Sequence, residues 1–548
     1  MTGLDADSEA RVQEALRRLT RGKTCLLITH NLEAAERADL VLVLQRSGIT
    51  EHGRHPDLAG RTRPYPERSD PRTGRSRVWE HVASGAGDAR HAPVAAPPRY
   101  EPALLRQLGT AMSSVAMTEI LRRDWPYLRR RDVILTDCCV ARVYPQDGQG
   151  FVLEYDMHFL GEHGATVQRF FGLLLGNEAA NRCAALAKKL TKRSQLPLDG
   201  RMDLVTCFPD LGLILQFSGL DHRLHGLKPA LDPAVMRRIL RPYLSLDGSD
   251  SPECAIDILG HRLGKRCVLR YRFEGFDPRT GRRARRSFIG KLYKARDDKG
   301  RQVFEVMRQL WEHGFDDLAP DGIRIPKPLA YVPDWALLLM EDTQGTPLTA
   351  SGGPPLGLAV EPAARALAKL HRCSLTVPAR YTATDELELL NGWVTVVSQV
   401  HPDMKAGVEE ALARVRDAIG RCPSVEATLT HRDFYEKQVL LNGNQIALID
   451  FDTLCLADPA IDVGNFLAHL KLACLHHRGG TDRPEEAFLA TYDRHHSPDF
   501  SARVATYLTS SLLRLACLYS LWPQRSDLAR PLLEALLSSR EASAPGRS

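Results

Sequence analysis

The sequence predicts an α+β fold in two lobes, a sheet-rich half followed by a helix-rich half, and three observations carry that expectation. The stretch "LTHRDFYEKQVLLNGNQIALIDFD", Leu429 to Asp452, sets two short apolar runs around "NGN", a strong hairpin signal. Upstream, a pattern of strands around one amphipathic segment occurs twice, in 151–219 and again in 267–345. From 346 onward helical spacing dominates, from "EPAARALAKLHR" to "ARVATYLTSSLLRLACLYSL".

Bulk properties bound the rest. A chain of 548 residues holds about three or four domains by the usual length prior. Its 43% hydrophobic and 26% charged residues are ordinary for a globular chain. The net charge of +6 is a small surplus of 73 bases over 67 acids. A nucleic-acid partner calls for a concentrated basic face. The one arginine-rich stretch, Arg61 to Arg90, is interleaved with Pro64, Pro66, Pro71 and acids and reads as a solvated linker. No nucleic-acid partner is therefore expected. The 12 cysteines contain no C-x-x-C pair, and Cys138 and Cys139 are adjacent, which disfavours disulfides and zinc and suits a reducing cytoplasm. "CLHH" at 474–477 could ligate a metal, but a helix or loop surface is the plainer reading. With no charged-then-apolar leader and no apolar run near about eighteen residues, no membrane span or secretion is expected, and the location is read as cytoplasmic.

Residues 1–60 form the first unit. "DADSEARVQEALRRL" has helical spacing, "KTCLLITH" and "LVLVL" read as strands, and "NLEAAERAD" as a helix between them, which suggests part of a parallel sheet. "TGLDADSE" resembles the D-loop of an ABC transporter ATPase, and "LLITHNLEAAERAD" its switch-histidine segment, with His30 as the switch. The resemblance implies a partial α/β ATPase fragment and a possible association with an ABC transporter system. The phosphate-cradling loop, signature motif and Mg-binding strand of such a domain would precede Met1. Without them His30 has no phosphate to sense, so ATP hydrolysis by this unit is not expected. Residues 61–100, rich in Pro, Gly, Arg and Ala, are read as a disordered linker.

The repeat occupies 101–245 and 246–345. "FVLEYDMHFLGEHGATVQRFFGLLLG" matches "CVLRYRFEGFDPRTGRRARRSFIGKLY", both with V-L-x-Y, a Gly-containing turn and an aromatic-led strand with a central glycine. Each unit reads strand, strand, helix, strand, strand. The second copy carries Lys291 in "FIGKLY"; the first has Leu173 at that place and cannot bind phosphate oxygens, so it is read as a structural duplicate. The helical unit covers 346–535, and 536–548 is a small polar tail.

Lysine on a sheet, Glu305 on the next helix, then two aspartates, Asp433 in a loop and Asp450 after a hairpin, form an inventory suited to phosphoryl transfer. "HRDFYEKQ" followed by "LIDFD", with "DPAIDVGNFLAHL" after it, resembles the phosphotransferase family of aminoglycoside and choline kinases. The resemblance spans roughly 250–540. It implies a bilobal protein-kinase-like fold, here with a duplicated N-lobe-like sheet, that uses ATP and Mg²⁺ to phosphorylate a hydroxyl of a small molecule. Carried over, Asp433 faces the substrate hydroxyl, Asp450 holds Mg²⁺, Lys291 binds the phosphates and Glu305 pairs with it. Met340, Glu341 and Asp342 form an adenine-facing hinge, His431 fixes the loop and Asp462 buttresses it. Where the family has Asn this chain has Gln438, whose amide can still ligate a hard cation one methylene further out; a shifted or water-mediated second metal contact and slower turnover follow. "LGHRLGKR", 259–266, is the divergent phosphate-covering loop. Asp452 is read as a cap on the next turn rather than a second metal-side acid. The acids of "TDELELL" (Asp385, Glu386, Glu388) read as a solvated helix start before they read as a lure for a cationic aminosugar. The alternative function is a catalytically weak or inactive nucleotide-binding module derived from a transporter fusion.

Overall fold

The computed structural model describes residues 41–45, 48–53 and 100–538, except 131–132, 147–148, 162–163, 194–204, 245–252, 278–279, 295–297, 349–355, 424, 477–483 and 493–496. The chain divides into two compact units, Met1–Ala96 and Pro97–Ser548. In the first, β1 (Val41–Gln45) pairs antiparallel with β2 (Gly48–Gly53). The D-loop-like and switch-like segments, His30 included, lie outside the described residues, as do 61–99 and His477. Tyr100, assigned to the linker by composition, is instead buried, and its N–H donates to Gln399 Oε1 at 2.8 Å.

The second unit opens with two helices, α1 (Pro102–Met112) and α2 (Ser114–Asp124), the latter N-capped by Ser113, whose hydroxyl accepts from the Ala116 N–H. Next come β3 (Val133–Pro145), β4 (Phe151–Gly161), β5 (Gly164–Leu174), α3 (Ala179–Arg193), β6 (Val205–Phe208) and β7 (Leu213–Phe217). They form a five-stranded antiparallel sheet in the order β3-β4-β5-β7-β6. The sequence then repeats itself as β8 (Glu253–Arg262), β9 (Arg266–Phe276), β10 (Arg283–Tyr293), α4 (Lys299–Glu312), β11 (Ile323–Arg324), β12 (Pro328–Val332) and β13 (Leu337–Glu341). The second sheet has the same order, β8-β9-β10-β13-β12, with β11 set apart.

The copies also repeat their packing. A Cβ on Gly290 would lie 2.6 Å from the Tyr271 ring, and one on Gly172 would lie 2.6 Å from the Tyr155 ring. The tyrosine of V-L-x-Y thus packs flat against a strand that has no side chain there, and nothing larger than glycine fits without displacing a buried ring. Each copy turns into its last strand through a left-handed residue, Gly212 at φ 62° and Ala336 at φ 51°.

Two readings of the repeat need correction. Each unit has three strands ahead of its helix, because β3 and β8 belong to it as well. Both are edge strands with mixed burial, and Ile134, Ile258 and Leu259 are exposed, so their period-two pattern is blurred. "LGHRLGKR" is accordingly the end of β8 and the turn into β9, with Gly264 at φ 70°, and not an open loop.

After β14 (Thr346–Pro347) the helical lobe comprises α5 (Leu356–Arg372), α6 (Ala383–Val400), α7 (Lys405–Arg421), α8 (Ala460–His476), α9 (Pro484–Tyr492), α10 (Pro498–Ser520) and α11 (Ala529–Ser538). Between α7 and α8 lie β15 (Thr428–Thr430), the hairpin β16 (Val439–Asn442) and β17 (Gln445–Leu448), and β18 (Cys455–Ala457). Gly443 at φ 57° makes the hairpin turn. One core joins Val303, Met307 and Leu338 of the second sheet unit to Leu367, Phe434 and Phe466 of the helical lobe. Another joins Tyr155, Phe170 and Leu215 of the first sheet to Val396 and Leu521. At about 25 cal/mol per Å² of apolar surface, each such buried ring contributes on the order of 2 kcal/mol, enough to hold the duplicate against the helical lobe. Asp385 closes a capping box with Thr382 at the start of α6, whereas Glu386 is buried and accepts the Tyr381 hydroxyl at 2.8 Å. Neither is placed to attract a cation.

Candidate active site

Lys291 sits on β10 opposite Val268 of β9 and Leu338 of β13, so its ammonium leaves the sheet on the face turned to the helical lobe. Its side chain is 8% exposed, and Nζ lies 2.7 Å from both Asp450 Oδ1 and Asp452 Oδ1. Tyr293, two residues on and so on the same face of β10, donates its hydroxyl to Asp452 Oδ1 at 2.7 Å. Arg266, the first residue of β9, hydrogen-bonds Asp452 and approaches Asp450 Oδ2 at 3.8 Å. Asp450 takes a left-handed backbone at φ 66°, a strained state for a residue with a Cβ, which aims the carboxylate across the cleft.

Burial alone would raise the Asp450 pKa, but the Lys291 ammonium and the Arg266 guanidinium outweigh it and hold the carboxyl at about 2. Asp433 behaves oppositely. Burial pushes its pKa above the ordinary carboxylate value, against the pull of Arg514 and His431 and with a push from Asp450. The two aspartates are thus set apart: one is held ionised, the other is eased towards accepting a proton.

The loop carrying Asp433 is held at many points. Asp462, fully buried at the start of α8, accepts the backbone N–H of His431 at 2.7 Å and of Arg432 at 2.6 Å, and also bonds His371 Nε2 at 3.0 Å. Arg432, at φ 66°, makes the sharp turn that these bonds over-determine. His431 is wholly buried and donates from Nε2 to the Ile449 carbonyl at 2.9 Å, tying the loop to the residue before Asp450. Asn465 Nδ2 donates to the Phe434 carbonyl at 2.9 Å. Gln438 lies in a 3-10 turn ahead of β16, buried, and its side-chain amide has no hydrogen-bond partner among the described residues.

Three expected placements fail or change. Glu305 does not pair with Lys291. It stands on the half-exposed face of α4 and binds Arg308 at 2.6 Å, because Lys291 is saturated by two carboxylates that the sequence offers only after the hairpin. Asp452 caps no turn; it takes Lys291, Tyr293 and Arg266. In the hinge, the N–H groups of Glu341 and Asp342 are already donated to the Lys327 and Ser287 carbonyls, and their side chains engage Arg324 and Arg270. Met340 is buried between β10 and β12. Thr343, the next residue, carries a buried hydroxyl with no partner among the described residues. Thr343, Arg266 and Tyr293 were not anticipated. A strand-opening arginine and a strand tyrosine read as ordinary surface and core, and only the cross-lobe contact distinguishes them.

A lysine of a small sheet thus meets two aspartates of a helical lobe beside an H-R-D loop, and residues 273–504 match the family model described as "Phosphotransferase enzyme family". This segment belongs to that family. The chain is also similar to solved structures over about half of its length. A thermostable mutant of the aminoglycoside phosphotransferase APH(4)-Ia is 19% identical, with 53% of this chain and 97% of that chain covered at a TM-score of 0.40. Choline kinase LicA from Streptococcus pneumoniae is 13% identical, with 56% and 98% covered at a TM-score of 0.37. Outside the phosphotransferase segment, a short N-terminal region of 57 residues is 46% identical to ATP-binding cassette sub-family B member 5 of Mus musculus. Over 57 residues the chain is also 49% identical to the ATP-dependent lipid A-core flippase of Burkholderia orbicola. The chain spans a tenth or less of the length of these relatives. No helix among the described residues is long and apolar enough to cross a membrane.

Proposed function

We propose that this chain transfers the γ-phosphate of ATP to a hydroxyl of a small molecule, with 246–345 as nucleotide lobe and 346–535 as catalytic lobe. Residues 101–245 then form a lysine-less duplicate, with Leu173 buried in the place of Lys291. The observation that carries the reading is the 2.7 Å contact between Lys291 and Asp450, which sets the phosphate-binding cation and the metal-holding carboxylate across one cleft.

The donors present fit Mg²⁺. Asp450 offers a carboxylate held ionised, and Gln438 offers a buried amide with no partner among the described residues. Both are hard oxygen ligands, and this ion commonly takes one or two protein carboxylates with the rest from phosphates and water. When bound, the ion would neutralise charge on the β- and γ-phosphates. Lys291 would exchange its carboxylate partners for phosphate oxygens, and Arg266, a neighbour of both aspartates, would follow. Thr343 would offer its hydroxyl to the nucleotide base beside the hinge. Asp433 would orient the acceptor hydroxyl and take its proton as the new O–P bond forms and the bond to the ADP oxygen breaks.

ADP release measured over a panel of hydroxylated compounds tests the proposal. Asp433→Asn is expected to lower transfer by about 10²-fold or more while nucleotide binding persists. Normal turnover by that variant would refute it. Gln438 favours one second reading, a nucleotide-binding module of weak or absent activity, since its amide reaches one methylene further than the family's asparagine. Mg²⁺-dependent nucleotide binding without transfer to any compound would establish that reading.

A further inference from the structure

The charge of Arg514 bears on Asp433, and Arg514 belongs to a wall of arginines built from three separate parts of the chain. Arg514 on α10 donates from Nη2 to Asn465 Oδ1 at 2.6 Å, and the same Asn465 holds the Phe434 carbonyl next to Asp433. Arg525, just past α10, donates to the Tyr519 hydroxyl at 3.0 Å. Trp522 lies tilted against Tyr519 at 5.7 Å and carries Arg142 of β3 over its ring at 5.3 Å. Tyr144 of β3 meets Trp522 edge-on at 6.3 Å and carries Arg262 of β8 at 4.7 Å. Arg142, Arg262, Arg514 and Arg525 each lack an ion pair with a carboxylate among the described residues, whereas Arg266, Arg270, Arg324 and Arg503 of the same unit all have one.

The polar groups left over along this wall are mainly donors. Arg514 Nε and the Trp522 indole N–H are buried with no partner among the described residues. The acids nearby are largely committed: Glu386 to Tyr381 and Ser510, and Glu154, which stands opposite Arg142 in the β3–β4 pairing, to the charges of Arg142 and of Arg169 at 3.9 Å. Glu436 lies 3.6 Å from His469, with Oε2 unbonded. Burial, with the charges of Arg514, Lys437 and Arg525, lowers His469 to about 3, so it adds no charge and balances none.

We propose that the acceptor side of this site takes an anionic hydroxyl compound, one carrying a phosphate or carboxylate group, with Arg514 and Arg525 as its anion contacts and Arg142 of the duplicated sheet at the outer edge. Guanidinium forks suit such groups bidentately, and in a partly desolvated setting each such contact is stronger than a neutral hydrogen bond. A polycationic aminosugar would meet like charges at Arg514 and Arg525, neither of which has an ion pair among the described residues. The inference rests on the phosphotransfer reading and names its substrate class. It also gives the duplicated sheet a task, since Arg142 and Tyr144 meet Trp522 only because that sheet packs on the helical lobe.

The test uses the full chain saturated with AMP-PNP and Mg²⁺, titrated with inorganic phosphate and followed by calorimetry, beside turnover assays with glucose 6-phosphate, glucose and hygromycin B. Saturable phosphate binding is expected. It should weaken about tenfold in Arg525→Gln and less in Arg142→Gln, a change at an exposed position that leaves the core intact, with Arg525→Lys keeping part of it. Phosphate binding that is absent, or unaffected by all three substitutions, would overturn the proposal, and so would turnover of hygromycin B in preference to phosphorylated or carboxylated compounds. Phosphate binding is read without turnover. Its failure alone removes the anion site, while phosphate binding without Asp433-dependent ADP release with any compound removes the phosphotransfer reading instead.

Discussion

Lys291 Nζ lies 2.7 Å from Asp450 Oδ1 although the two residues are 159 positions apart. The contact, shared with Asp452, closes the sheet lobe onto the helical lobe beside a second cation, Arg266. Removing the Lys291 charge leaves two partly buried carboxylates with Arg266 as their one cation among the described residues. Lys291→Met is expected to abolish phosphate transfer and to destabilise the fold by about 3 kcal/mol, the usual scale for breaking one side of a buried pair. Urea denaturation and ADP release read the two effects.

Glu305→Ala is the contrast. The side chain is 46% exposed and paired only along its own helix with Arg308 and Gln309. Screening by water leaves such a contact worth about 0.5 kcal/mol at most. Stability and transfer should stay near wild type. A large loss of transfer on this change would restore a Lys291–Glu305 pair in the working state.

Asp462→Ala removes the acceptor for two backbone N–H groups and for His371. Leaving buried donors unpaired costs about 1–3 kcal/mol each. Thermal unfolding should therefore show a clear drop. Transfer should fall with it, since the Asp433 loop loses its anchor while no residue that touches nucleotide is changed.

The acid side of the pH profile separates the two aspartates. Asp433 has a raised pKa, so the acid limb of kcat/KM should lie above the ordinary aspartate value, activity falling as pH drops through it. Asp450 has a folded-state pKa of about 2 against 3.8 for the ordinary group. Its ion pairs therefore contribute full stability above pH 3.8 and lose it as pH falls towards 2. Asp450→Asn should flatten acid unfolding over that window. An acid limb at or below the ordinary aspartate value would remove Asp433 as the proton acceptor.

Gly172→Ala tests the duplicate. Its new Cβ would lie 2.6 Å from the Tyr155 ring, an overpacking that costs about 1–3 kcal/mol. Because the first sheet shares a core with Val396 and Leu521, the loss should appear in the unfolding of the whole second unit. Two well-separated transitions, with only the earlier one shifted, would show the duplicate to fold alone.

Much of this protein was legible in its sequence because local rules dictate it. The "NGN" turn demands a residue with positive φ, and Gly443 supplies it; helical periodicity located the helical lobe; the recurrence of V-L-x-Y and a central strand glycine exposed the doubled sheet, since the same ring packs on the same bare strand in both copies. The order of lysine, loop aspartate and hairpin aspartate suggested the site. What the tertiary structure alone decided is which charges meet. Edge strands β3 and β8 have no strict alternation to reveal them, so Arg142 and Arg262 read as surface arginines, as did Arg266 at the start of β9 until folding set it beside Asp450 and Asp452. Lys291 could have taken Glu305 on the next helix, but the left-handed turn at Asp450 and the hairpin behind it bring two carboxylates closer. Partner choice among charges depends on distance and burial, and neither quantity is local in sequence.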